Sequence, residues 1–250
     1  MNKQNKIDAI IFDIDGTLID VRPSYIKTAE VTINNYLKNT AVNQDDILFI
    51  NNLIGFNNLW EVSYALIFLI KNEVPKSRWQ KCARKVLPIN YQDKIFRYIY
   101  NLFQNIYLGS SLFEIFENKK AIFNYEPGLI TMEKAFINKK IVSDLGQKYK
   151  LGVATGRPFM EAVLGLNQQN LSGRNFFNTK YLVGLEDTSK PKPSFEPLIK
   201  VREKLNAQNP IYVGDSLNDL EAARRANIPC LYLRSSMQNN QINSVLKSLI

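Results

Sequence analysis

Asp13 and Asp15 stand two positions apart where an apolar run ends, in the stretch IFDIDGTL over residues 11–18. In an extended segment, residues i and i+2 point to the same face. Both carboxylates therefore look into one space, and Ile14 turns away. Two like charges this close raise the pKa of one of them unless a cation intervenes. That leaves two arrangements open: one acid serves as a proton donor, or a divalent metal holds it ionised. Gly16 allows the chain to turn sharply beside the pair.

A second acidic pair, Asp215 and Asp219, ends the stretch VGDSLND. Hard oxygen ligands suit Mg²⁺, which binds through one or two carboxylates plus waters and substrate phosphate. Ser216-Leu217-Asn218-Asp219 also fits a helix capping box, and a capped helix would hold Asp219 near Asp215. In VATGRP (153–158), Thr155 and the amides around Gly156 suit a phosphate at a helix N-terminus. TSKPKP (188–193) offers Lys190 or Lys192 just before a helix. The chain has no histidine, which excludes histidine triads and histidine metal sites. Proton transfer must then run on carboxylates, Lys, Tyr or Cys.

These residues need elements that bring them together. Strands are expected at 7–12, 151–155, 181–184, 211–215 and 229–233, with helices at 131–148, 158–165, 194–206 and 217–226. Strands alternating with helices indicate a parallel sheet covered on both faces. Ligands of such sheets gather outside the carboxyl ends of the strands, where three of the four motifs fall. Between the first strand and the turn signal Glu126-Pro127-Gly128 lies a helical stretch, with apolar stripes at about 22–39, 45–53, 58–71, 76–87 and 91–107. The expected architecture is α/β: a Rossmann-like parallel sheet core (1–20 and 127–250) with an inserted α-helical cap domain (21–126). The aromatic residues of the insert read as its own core.

The chain has 250 residues, 45% of them hydrophobic and 22% charged, which is ordinary globular composition. Its formal charge is +9, with Lys71, Lys76, Arg78, Lys81, Arg84, Lys85, Lys94 and Arg97 against Glu73 and Asp93 in one segment. A solvated helix face explains this best, and an electrostatic funnel for an anionic substrate comes next. No nucleic-acid motif accompanies the charge. Cys82 and Cys230 make no disulfide framework and read as free thiols in a reducing cytosol. The polar start MNKQNKIDAI shows no signal peptide, and ALIFLI is far short of the roughly 20 residues that span a bilayer. The expectation is a cytoplasmic protein with neither membrane nor nucleic acid as partner.

DIDGT, TGR, KPKP and GDSLND together resemble the four motifs of the haloacid dehalogenase-like (HAD) hydrolase superfamily. The resemblance is to its phosphatase branch, with a helical cap inserted after the first motif. DVRPSY, GFNNLW and TGRPFMEA look like a cap-bearing subgroup near the phosphoglycolate-phosphatase-like enzymes. The resemblance implies that Asp13 is a nucleophile forming an aspartyl-phosphate, and that Asp15 protonates the leaving alcohol and then activates water. It implies a Mg²⁺ ion held by Asp13, the Asp15 main-chain carbonyl and Asp215, with Asp219 nearby. Thr155 and a lysine would grip the phosphoryl oxygens of a small phosphorylated metabolite. By K-P-x-P spacing that lysine is Lys190, with Lys192 in reserve.

The insert, hinged near 19–22 and 125–128, is expected to act as a lid. Arg22 and the GFNNLW turn, with Asn57, are its candidate substrate contacts. Other readings of the same residues are a phosphomutase, a dehalogenase and a non-catalytic phospho-ligand binding protein.

Overall fold

Ala9, Ile10, Ile11 and Phe12, none with solvent exposure, form β1 (Ala9–Phe12) of the computed structural model. A strand buried on both faces reads as an unbroken apolar run, which is how this one reads. The structure describes residues 6–38, 42–56, 58–173, 176–233 and 239–250. After β1 come β2 (Ile19–Asp20), a π-helical turn (Arg22–Ile26), α1 (Lys27–Leu37), α2 (Gln44–Asn51), α3 (Leu59–Lys71), α4 (Trp79–Ala83), α5 (Lys94–Leu108) and α6 (Ser110–Glu117). β3 (Lys134–Ala135), α7 (Lys139–Lys148), β4 (Lys150–Ala154), α8 (Phe159–Gln168), β5 (Leu182–Val183) and α9 (Glu196–Leu205) follow. β6 (Pro210–Gly214), α10 (Leu217–Ala226), β7 (Cys230–Tyr232) and α11 (Asn239–Lys247) complete the order.

The chain divides into two units, 1–20 with 134–250, and 21–133. In the first, five parallel strands lie in the order β5-β4-β1-β6-β7. Phe12 is in register with Val153 of β4 and Val213 of β6, so the three central strands end level with one another. β1 leads to β4 on one side and β6 lies on the other, which makes its carboxyl end the point where strand order reverses. Leu198, Val201 and Leu205 of α9, with Ala222, Ala223 and Ala226 of α10, pack with Ile11, Ala154, Val183 and Tyr212 of the sheet. The fold is the expected α/β one.

In the second unit, Tyr25 meets Trp60, Phe103 and Tyr107 edge-on, at ring centroid distances of 6.3, 5.2 and 4.6 Å. The insert's aromatics thus form a core of their own. Its basic run lies on exposed positions. Among the described residues, no helix is long and apolar enough to cross a membrane.

Several boundaries differ from expectation. The helix expected over 131–148 begins at Lys139, because Lys134–Ala135 pairs antiparallel with Ile19–Asp20 and Asn138 caps α7. The stripe at 76–87 breaks into short helical pieces at 76–78, 79–83 and 84–86. α5 starts where the Asp93 side chain accepts from Phe96 N, and it ends at Gly109, whose φ is +84°. The second division falls after Glu133 rather than Glu126: buried Ile130 stays with the insert, and Glu133 accepts hydrogen bonds from Ser24 and Tyr107.

Candidate active site

Asp13 directly follows β1, and its amide donates to Val213 O at 2.9 Å. Ile14 is fully buried, and Asp15 comes next at the rim. Gly16 then turns the chain at φ +72°, against Asp215: a Cβ added there would lie 2.1 Å from Asp215 Oδ2. No other residue type fits this turn, because both the backbone angle and the space require glycine. At the end of β6, Ser216 caps α10 by accepting from Asp219 N, and Asp219 Oδ2 accepts from Ser216 N (3.0 Å) and Oγ (2.6 Å). The capping box read in the sequence is therefore formed.

Asp13, Asp215 and Asp219 each offer a carboxylate oxygen within 4.8 Å of the others. Buried Lys192 reaches into this group, with Nζ 2.9 Å from Asp13 Oδ1 and 2.6 Å from Asp219 Oδ1. It also donates to the Tyr212 hydroxyl at 3.1 Å. Tyr212 in turn donates to Asp219 Oδ1 at 2.6 Å. Asp219 thus has both oxygens taken by protein donors, whereas no donor among the described residues reaches Asp215.

The electrostatics follow from this count of three acids against one ammonium. Burial pushes Asp13 up to about 7, with Asp219 and Asp15 adding to the shift and Lys192 opposing it. Burial and then the Asp219 and Asp13 charges raise Asp215 well above the carboxylate range. Burial works against Asp219 as well, but Lys192, Ser216 and Tyr212 outweigh it and hold that acid low. Lys192 stays firmly charged, since its two acids more than offset its burial. The cluster is short of positive charge, it consists of hard oxygen donors, and no donor among the described residues reaches Asp215. That donor set fits a hard divalent cation.

The lysine differs from the expected one. Lys190 is exposed and its amide donates to Glu196 Oε2, while Lys192 carries the ammonium that meets the acids. The cause is the following helix. Glu196 in the first turn of α9 accepts from Ser189 N, Ser189 Oγ and Lys190 N, pinning 189–190 outward, and Ser194 N closes a turn onto Pro191 O.

Thr155 is buried past the end of β4, and its Oγ1 accepts from Arg157 N at 3.2 Å. Gly156 lies between them. The helix end expected to receive a phosphate is partly occupied, because Phe159 N in the first turn of α8 donates to Glu186 Oε2 at 2.9 Å. Arg22 is an exposed residue of the second unit, and Asn57 lies outside the described residues.

Three participants were not read from the sequence. Arg157 is fully buried and pairs with Asp15, with Nη2 at 2.5 Å and Nε at 2.6 Å from Oδ1. It stands inside the TGR motif, beside Thr155 and Gly156. Tyr212 reads as strand core and Glu196 as an ordinary first-turn acid; only the fold reveals their partners.

The chain is similar to known proteins. Residues 132–233 match the family described as haloacid dehalogenase-like hydrolase, a span holding Thr155, Lys192, Asp215 and Asp219. The phosphoglycolate phosphatase of Salmonella typhi is 24% identical over 241 residues, covering 93% of this chain and 83% of that protein. The phosphoglycolate phosphatase of Escherichia coli is 25% identical over the same length, with the same coverage. Among solved structures, phosphatase Tt82 from Thermococcus thioreducens superposes with a TM-score of 0.68 at 22% identity, covering 95% of this chain and 98% of that one.

Proposed function

We propose that this chain is a haloacid dehalogenase-like hydrolase that hydrolyses the phosphomonoester of a small metabolite through an aspartyl-phosphate on Asp13. The observation that carries the reading is the buried pairing of Asp13 with Lys192, beside Asp215 and Asp219 at the end of the central strand. A nucleophilic carboxylate next to a fixed ammonium suits phosphoryl transfer, where charge neutralisation and alignment supply most of the catalysis.

In this reading Asp13 attacks phosphorus, and the bond to the leaving oxygen breaks as Asp15 delivers a proton to it. Asp15 then takes a proton from the water that displaces phosphate from Asp13. Lys192 and the Thr155 hydroxyl hold phosphoryl oxygens, and Asp219 keeps Lys192 in place. A divalent cation such as Mg²⁺ would supply further neutralisation of phosphoryl charge when bound. Asp13, Asp215 and the Asp15 main-chain carbonyl would hold it, with Asp219 acting through its contacts. The relatives named phosphoglycolate phosphatase make 2-phosphoglycolate the first substrate to try.

The test is phosphate release from a panel of phosphomonoesters that includes 2-phosphoglycolate, in EDTA and in Mg²⁺, beside Asp13→Asn. The expected result is metal-dependent release that Asp13→Asn abolishes. Release that persists in Asp13→Asn, or no release from any compound by folded protein, would reject the reading.

A further inference from the structure

The Arg157–Asp15 pair has an asymmetry that the chemistry above does not use. A guanidinium facing a carboxylate commonly forms a fork, with one N–H to each oxygen. Here Nε and Nη2 both converge on Oδ1. Among the described residues no donor reaches Asp15 Oδ2. The arginine side chain has no solvent exposure, while that of Asp15 keeps 27% of its own. The backbone that delivers the guanidinium is held at both ends: Arg157 N donates to Thr155 Oγ1, and Arg157 O accepts from Leu185 N at 2.8 Å. A cation buried this deeply requires a compensating acid. Nothing in that requirement asks both N–H groups to share one oxygen.

We infer that Arg157 is a positioning residue that gives the two oxygens of Asp15 separate duties: Oδ1 is clamped, and Oδ2 is left as the oxygen that exchanges the proton. This rests on the phosphatase reading. With two N–H donors on Oδ1, a proton on Asp15 sits on Oδ2. In the first step that proton moves to the leaving oxygen as the bond from phosphorus to that oxygen breaks and the bond to Asp13 forms. The products are a neutral alcohol, phosphorylated Asp13 and an ionised Asp15 whose charge Arg157 balances. In the second step Oδ2 takes one proton from the attacking water. The same arginine ties the acid–base group to Thr155, so proton transfer and phosphoryl grip share one rigid turn.

The experiment compares kcat/KM for a series of phenyl phosphates, from p-nitrophenyl to unsubstituted phenyl, in wild type, Arg157→Gln and Arg157→Lys. The ratio kcat/KM covers only the steps up to departure of the leaving group. A good leaving group needs little protonation and a poor one needs much. In Arg157→Gln, the loss on phenyl phosphate is expected to exceed that on p-nitrophenyl phosphate by about tenfold or more, a fraction of what positioned general acids contribute. Arg157→Lys, which keeps a cation without the converging donors, is expected to fall between. Equal losses across the series in the folded variants would overturn the inference and leave Arg157 a structural cation. If Arg157→Gln does not fold, as judged by circular dichroism, Arg157→Lys decides by the same comparison. A wild-type protein inactive on every member would reject the phosphatase reading itself, and this inference with it.

Discussion

Tyr212 and Lys192 meet on one atom: the hydroxyl and the ammonium each lie 2.6 Å from Asp219 Oδ1. The tyrosine comes from the central sheet and the lysine from a loop, so a carboxylate on α10 joins three parts of the core. Its other oxygen is filled by its own helix cap. Asp219 is best described as the anchor of Lys192.

Tyr212→Phe removes one donor from this anchor and keeps the ring. A hydrogen bond to a buried charged group is worth about 1.5–3 kcal/mol. The variant is expected to fold with a stability loss in that range by urea denaturation. Full wild-type stability would mean that the hydroxyl contributes nothing to the network.

Lys192→Gln and Lys190→Gln separate the two candidate lysines. The first leaves Asp13 and Asp219 buried without their cation, an arrangement that costs about 3–5 kcal/mol. It is expected to lose at least about a hundredfold in phosphate release. The second alters an exposed side chain, and its rate should stay within about threefold of wild type, as surface changes usually do. Comparable losses in both would move Lys190 into the site.

Glu196, which pins the start of the lysine loop, supplies the pH prediction. The Ser189 amide is the largest cause of its lowered pKa, with Lys200 and the Ser189 hydroxyl behind it, and the carboxyl sits at about 2 against an ordinary 4.5. Between those values the unfolded chain binds the proton and the native protein does not, so stability rises with pH there. The contribution is fully present above about pH 4.5 and is lost as pH falls through about 2. Glu196→Gln is therefore expected to melt below wild type at pH 6, with the gap closing towards pH 2.5. A gap independent of pH would assign the latch to hydrogen bonding alone.

Much of the core was legible because buried parallel strands announce themselves. AIIF and IYVG are unbroken apolar runs that end in acids, and both form strands within two residues of expectation. Ser216 and Asp219 were readable as a cap because that motif is local. What failed was non-local. Whether Lys190 or Lys192 turns inward depends on Glu196, and Arg157 acquires its meaning from an acid 142 positions away. One helix is expected over 131–148, but pairing of Lys134–Ala135 with Ile19–Asp20 overrides its first turns.

The place of β1 at the centre of the sheet bears on how the chain is made. Ala9–Phe12 is made before either of its neighbours, Lys150–Ala154 and Pro210–Gly214, which follow the whole of 21–133. Until Lys150–Ala154 is made, this apolar strand therefore has two bare edges and no sheet to cover its faces. Unpaired edges and late, long-range pairing slow folding and invite association with other chains. The strand that presents Asp13 is thus a segment of the nascent chain that gains from shielding by a chaperone. The site cannot exist until β6, with Asp215 behind it, has been translated.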